Sequence, residues 1–180
     1  LFRTVIGNEN APNLMISPAS VSIALGMAYN GAETTTRDAF EEVLNYDGLT
    51  REEVNEITRE LIGVLLSNTN GNLLEIANSI WNNKGFTVKQ EFIDLNSNYF
   101  GARVSELDFS KASALSTINE WVSNKTHGKI DEITKNTLAV QAAYSDYQEK
   151  SLGRTGLRQM YIGTLTLTLF FALFVAVTLA

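Results

Sequence analysis

One segment of the sequence, residues 13–36 (NLMISPASVSIALGMAYNGAETTT), limits the folds that this chain can adopt. A Ser-Pro pair at Ser17 and Pro18 opens it, and an Asn-Gly pair at Asn30 and Gly31 closes it. This predicts a helix with an N-cap serine, a first-turn proline and a glycine stop. The helix looks fully buried, yet serine, alanine and glycine occupy many of its positions. So many small side chains on a buried helix need an explanation beyond ordinary core packing.

The composition excludes several classes of function. The chain has 180 residues, a net charge of −6 at neutral pH, and 44% hydrophobic and 19% charged residues. These values indicate a globular protein and disfavour a nucleic-acid partner. It has no cysteine and one histidine, His127, which excludes thiol chemistry, disulfides and multi-histidine metal sites. The sequence offers no nucleophile–base pair, metal cluster or phosphate-binding loop, so we expect neither an enzyme nor a bound cofactor.

The order of the predicted elements indicates an α+β fold. Apolar spacing predicts that two early helices turn eight side chains inward: Ala39, Phe40, Val43, Leu44, Val54, Ile57, Leu61 and Leu65. In the first strand Ile80 lies on one face and Trp81 on the other, so both faces are expected to be covered. The predicted elements are helices over Leu1–Asn10, Ser17–Tyr29, Arg37–Leu44 and Thr50–Leu65, a strand over Leu73–Asn82, a helix over Lys89–Phe100, a strand over Ala102–Phe109 and a helix over Ala114–Lys125.

Three stretches of the sequence together resemble the serpin family. Residues 13–36 resemble the family's second-helix signature, and residues 118–130 (INEWVSNKTHGKI) resemble the helix that lies across its main sheet. Between them, residues 74–109 match the family's strand, helix and strand in order and spacing. The resemblance covers residues 1–134. It implies the N-terminal part of the serpin fold, in which helices pack on a large mixed or antiparallel sheet.

The resemblance implies a function in the inhibition of serine (or cysteine) proteases. In this family a cleaved reactive loop inserts as an extra strand into the main sheet and traps the protease, so the native sheet must be able to part. The resemblance assigns Ser17 and Ser20 to the hydroxyl cluster beneath the parting strands. It assigns Asn119 and Trp121 to the covering helix that gives way. It also implies an extracellular protein without a metal.

Each of these four residues also has a purely structural interpretation. Ser17 caps a helix, Ser20 fills a buried gap, and Trp121 is an aromatic anchor. Asn119, next to Ile118 on the inward side, needs a polar partner in either case. We expect both kinds of role together, because a capping residue can also face the sheet.

The family pattern stops after Thr134. We therefore divide the chain into serpin-like residues 1–134, an unassigned linker over 135–160 and a hydrophobic tail over 161–180. Neither the strands of the family's second half nor the reactive loop is recognisable in the sequence, so we expect a truncated serpin that is inactive as an inhibitor. Open sheet edges should also make it unstable alone. The alternative function is a serpin-derived interaction module, attached to a membrane through the tail.

Three interpretations of residues 161–180 stay open. The segment is uncharged and mostly apolar, and a helix of about 20 residues spans a bilayer core of about 30 Å. Thr164, Thr166 and Thr168 alternate with leucines, as in a strand. The third interpretation is a frame change, altered splicing or a gene-assembly error. A separate motif, at Asn124–Thr126, is an N-glycosylation sequon.

Overall fold

A computed structural model of the chain describes residues 17–67, 73–132 and 171–177, together with Gly7. The predicted helix over Leu1–Asn10 lies outside these ranges apart from Gly7, which is helical. Helices and a small sheet give the α+β class that the sequence predicts. The elements are α1 (Pro18–Tyr29), α2 (Thr34–Leu44), α3 (Arg51–Ser67), β1 (Leu73–Asn83), α4 (Gln90–Phe100), β2 (Arg103–Leu107), α5 (Ala112–Lys125) and β3 (Phe171–Val177).

Strand β1 is the centre of the described sheet, whose order is β2-β1-β3. β1 and β2 are parallel, with Ser79 opposite Arg103, and α4 provides the helical crossover that a parallel pair requires. β3 is antiparallel to β1, with Ser79 opposite Phe171. β1 is therefore hydrogen-bonded on both edges, whereas β2 and β3 each have one paired edge among the described strands.

The seven tail residues that the structure describes form a strand. All seven residues of Phe171–Val177 pair with residues of β1, in keeping with the strand interpretation of this part of the tail. Thr164, Thr166 and Thr168, which suggested that interpretation, lie outside the described residues. Within the described part of the chain, the search for a helix sufficiently long and apolar to cross a membrane finds none.

Two apolar clusters cover the two faces of β1, because neighbouring residues of a strand point to opposite faces. Trp81 belongs to the cluster under α5, and Ile80 belongs to the cluster against α1 and α4, as the predicted alternation requires. The α5-side cluster consists of Ala77, Trp81, Phe109, Ala114, Ile118, Trp121 and Val122. The α1-side cluster consists of Ile23, Met27, Ile80, Phe100 and Ala102.

Two of the predicted helix starts, at Ser17 and Thr50, are capped by side-chain hydrogen bonds. Ser17 is the N-cap of α1 and Pro18 is its first residue. At the start of α3, the Thr50 backbone N–H donates to Glu53 Oε2 at 2.7 Å, and the Glu53 N–H donates back to Thr50 Oγ1 at 3.2 Å. This reciprocal pair is a capping box, which satisfies two backbone N–H groups at the helix start.

The prediction of inward side chains on α2 and α3 was wrong at several positions. Val43 and Ile57 are 77% and 53% exposed, and Leu61 is 43% exposed; Ala39 is exposed as well. On α3 the inward face contains Val54, as predicted, together with Ile62, which was not predicted. Spacing alone does not fix the centre of the buried face, because that depends on where α1 and α4 lie.

The start of α2 also differs from its prediction. The helix begins at Thr34, not at Arg37, because the Arg37 N–H already donates to the Glu33 carbonyl at 3.3 Å. Threonine has a low intrinsic helix propensity, and tertiary context overrides such a weak preference.

A buried chain of asparagine side chains joins three helices. Asn55 Nδ2 of α3 donates to Asn30 Oδ1 at the end of α1 at 3.0 Å, and Asn30 Nδ2 donates to Asn96 Oδ1 of α4 at 3.4 Å. Asn96 Nδ2 donates in turn to the Phe92 carbonyl at 2.9 Å. All three asparagines are buried. Removing one of them therefore leaves the polar atoms of its partners buried without a hydrogen bond.

We predict that Asn96→Ala lowers the free energy of unfolding by about 1–3 kcal/mol, the cost of unpartnered buried polar groups. The matched control is Asn98→Ala, an exposed residue of the same helix, with an expected change within about 0.5 kcal/mol. Urea denaturation followed by circular dichroism measures both. Equal denaturation midpoints for the two variants would contradict the role given to the asparagine chain.

A second prediction concerns the capping box and pH. The Thr50 backbone N–H, and then the Thr50 hydroxyl, hold the pKa of Glu53 below its usual value. A lowered pKa in the folded state stabilises the fold above the ordinary carboxyl pKa of about 4.3 and ceases to do so as the pH falls through the folded value. The stability advantage of the wild type over Glu53→Gln should therefore shrink in acid. Urea midpoints at neutral and acidic pH test this, with Glu52→Gln as control, and a gap independent of pH would contradict it.

Candidate functional site

The predicted serine pair meets at the first turn of α1. Ser17 Oγ accepts a hydrogen bond from the Ser20 backbone N–H at 3.2 Å, and the two side-chain oxygens are 2.8 Å apart. Ser20 is only 9% exposed, whereas Ser17 is half-buried. The capping and gap-filling roles are therefore both present. The two hydroxyls form one small polar cluster at the end of an otherwise apolar helix.

Two glycines of this segment let aromatic rings of α4 approach the backbone. A Cβ atom built on Gly26 would lie 3.1 Å from Phe100 Cε1, and one on Gly31 would lie 3.0 Å from Phe92 Cε2. Contacts this short force the ring or the helix to move. Part of the small-residue pattern is thus explained by the close packing of α4, which the sequence analysis did not anticipate.

Helices α1 and α5 lie on opposite faces of the same strand. Ile23 and Met27 of α1 pack with Ile80 of β1. On the other face, the ring of Trp121 meets that of Trp81 edge to face, with centroids 5.9 Å apart and planes at 83°. Edge-to-face aromatic pairs contribute about 0.5–1.5 kcal/mol beyond the area that they bury. The structure thus forms a sheet with a helix beneath it and a helix above it.

The structure brings the four predicted site residues to one sheet but not into one cluster. Ser17 and Ser20 lie on the α1 side, and Asn119 and Trp121 lie on α5 at the opposite face. Trp121 is 6% exposed. Asn119 is half-buried and has an interaction partner, as a polar residue beside buried Ile118 requires. A link between the two pairs runs through the strand and not through direct contact.

Polar contacts hold the C-terminal end of α1 against α2. The buried Tyr29 hydroxyl at the end of α1 donates to Glu41 Oε1 at 2.8 Å, and Arg37 Nε donates to the same oxygen at 2.7 Å. Burial raises the pKa of Tyr29 above its usual value, while the hydrogen bond from Arg37 lowers the pKa of Glu41. Tyr29 therefore stays protonated and able to donate this hydrogen bond.

At the far end of α5, His127 is exposed, and its Nε2 lies 2.8 Å from Glu75 Oε2 on β1. This contact ties the helix end to the strand below it. Both groups are largely solvated, so such a pair contributes little to stability.

The contacts of this arrangement are those of helix capping and side-chain packing. Within the described ranges, no group of three or more His, Cys, Asp or Glu residues could hold a metal ion. The serine hydroxyls bond to each other and to backbone, which is the behaviour of capping groups.

Comparison with known sequences decides the family. The sequence model of the family described as serpin (serine protease inhibitor) matches residues 1–144. The chain belongs to the serpin family. The match includes residues 135–144, which the sequence analysis had assigned to a linker beyond the serpin-like part. Members of this family are typically protease inhibitors and not enzymes.

Individual serpins match over the same portion. Mouse (Mus musculus) neuroserpin is 30% identical over 134 residues, covering 74% of this chain and 33% of neuroserpin. Iripin-8 of Ixodes ricinus is 38% identical over 140 residues, covering 74% of this chain and 34% of Iripin-8. A crystal structure of native protease nexin-1 with heparin superposes with a TM-score of 0.67 at 25% identity, covering 74% of this chain and 36% of that one. The chain spans about a third of the length of these serpins.

Trp81 is predicted to lie on a buried face of its strand, but no sequence motif indicates its contact with Trp121. Its alternation with Ile80 was the available signal, since both faces of the strand were expected to be covered. The asparagine chain was missed entirely. Asn30 and Asn96 are 66 positions apart, and no local pattern connects residues at that separation.

We predict that Trp121→Ala lowers the free energy of unfolding by about 3–5 kcal/mol, the usual cost of deleting a buried aromatic side chain. Glu120→Ala, at an exposed position on the same helix, serves as the matched control. Far-ultraviolet circular dichroism follows the loss of helix during urea denaturation and does not depend on tryptophan fluorescence. If the two variants unfold at the same urea concentration, α5 does not depend on the Trp81–Trp121 contact.

Trp121→Phe is the milder companion variant. It leaves Trp81 as the sole tryptophan, since the chain has two, and excitation at about 295 nm avoids the tyrosines. Its emission should be that of a buried indole before unfolding.

Proposed function

We propose that this serpin chain carries the sheet-opening portion of an extracellular inhibitor of serine (or cysteine) proteases. The observation that supports it most strongly is the packing of α1 and α5 on opposite faces of β1. A helix beneath the sheet supports strands that move, and a helix above it must be displaced before they part. Ser17, Ser20, Asn119 and Trp121 are proposed as conformational residues of this movement, and none as a catalytic residue.

The energetics fit a sheet that stays closed until the insertion of another strand contributes more free energy than opening costs. Fully burying a large aliphatic or aromatic side chain contributes about 1.5–3 kcal/mol, and α5 buries Ile118, Trp121 and Val122. Separating α5 from the sheet therefore costs a free energy several times as large as that of one such side chain. Insertion of an additional strand, which pairs its whole backbone, is a change large enough to offset that cost.

We further propose that residues 1–180 alone do not trap a protease. The family resemblance places the reactive loop near the C-terminal end of a serpin, while this chain corresponds to about a third of its relatives.

The test uses the chain alone and a chimera. In the chimera, residues 1–134 replace the corresponding portion of a full-length inhibitory serpin, which is itself the positive control. We predict no SDS-stable complex between residues 1–180 and trypsin-like or elastase-like proteases, and a stable complex for the chimera. A chimera that melts cooperatively, yet is only cleaved, would overturn the proposed sheet-opening role.

Variants of the chimera test the residue assignments. Ser20→Ala should raise the fraction of inhibitor that is cleaved without forming a complex, because it removes a buried hydroxyl beneath the sheet. Ser116→Ala, an exposed serine of α5, is the control and should leave that fraction unchanged.

A further inference from the structure

The chain contains a single Asn-x-Ser/Thr triplet, at Asn124–Thr126. Such triplets are acceptors for N-linked glycans in secreted proteins. This one lies at the end of α5, where the helix ends at Lys125 and Thr126 is the C-cap. A single acceptor makes the question of modification unambiguous for this sequence.

The acceptor side chain is directed away from the sheet. Asn124 is exposed, and so is Glu120 one helical turn earlier. The residues of α5 that hold it to the sheet, among them Ile118 and Val122, are buried on the other side of the helix. A glycan on Asn124 would therefore extend into solvent without displacing any contact of the α5-side cluster.

The threonine of the triplet is in the opposite situation. Thr126 is fully buried, and its Oγ1 accepts a hydrogen bond from the Ile130 backbone N–H at 3.0 Å. The same hydroxyl lies within donating distance of the carbonyls of Ile130 at 3.3 Å and Ser123 at 3.4 Å. Because a glycosyl transferase must recognise this hydroxyl together with the asparagine, the folded helix end hides half of the recognition site.

We propose that Asn124 carries an N-linked glycan, added before residues 126–130 fold against the end of α5. The donor is a lipid-diphosphate-linked oligosaccharide. Asn124 Nδ2 forms a bond to the anomeric carbon of its first sugar, the bond from that carbon to the phosphate oxygen breaks, and the lipid diphosphate leaves while Nδ2 loses one proton. Thr126 then closes its hydrogen bonds and the glycan stays outside. The proposal rests on the extracellular location proposed above but not on inhibition.

Expression in a eukaryotic secretory host, with an added signal peptide, tests the site. The wild-type chain should lose mass on treatment with peptide-N-glycosidase F, and peptide mapping should find Asn124 converted to Asp. Thr126→Ser, which keeps the triplet and a hydroxyl, should remain modified. Asn124→Gln should show no shift, whereas Asn98→Gln, at an exposed helical asparagine outside any triplet, should behave as wild type. Exported wild-type chain without a glycan would overturn the proposal.

Pulse-chase labelling in the same host tests the timing. The glycan should be present on the earliest labelled chains, and the modified fraction should stay constant during the chase. A modified fraction that rises after the chain has become compact and protease-resistant would show that the folded helix end is accessible, against the order of events proposed.

Discussion

The alternation of side chains along β1 is the constraint on which the rest of this structure depends. Ile80 and Trp81 are neighbours in sequence, so they must point to opposite faces of the sheet. Each is almost fully buried, in a different cluster. A strand of this kind requires a helical layer on both faces, and α1 and α5 supply those layers. Without β1 neither helix would have a surface on which to bury its apolar side.

Features set by neighbouring residues could be predicted from the sequence. The Ser17 cap and the two faces of β1 each depend on spacings of a few residues. Features set by distant residues could not. Gly26 is small because Phe100 approaches it, and Asn30 is buried because Asn55 and Asn96 meet it. The sequence contains all of these residues, but only the fold specifies their pairing.

The residues of the candidate site divide in the same way, into those that a sequence motif indicates and those that only the fold brings together. The sequence resemblance selected residues on the two helices that pack on opposite faces of β1, because Ser17 and Trp121 belong to motifs that extend over many positions. It did not select Trp81, whose importance comes from the ring of Trp121 above it. The wrong inward assignment of Ile57 has a related cause, since the neighbours of a helix decide which of its apolar residues are buried.

The polar content of β1 bears on how firmly the sheet is held. A strand buried on both faces is normally a continuous apolar run, yet this one carries four buried polar residues: Asn78, Ser79, Asn82 and Asn83. Asn78 Nδ2 donates to the Phe100 carbonyl at 2.7 Å, whereas Asn78 Oδ1 and Ser79 Oγ are buried without a hydrogen-bond partner among the described residues. Each buried unpartnered polar group costs about 1–3 kcal/mol. The central strand is therefore stabilised less than an apolar strand of the same length, which is consistent with the proposed parting of the sheet.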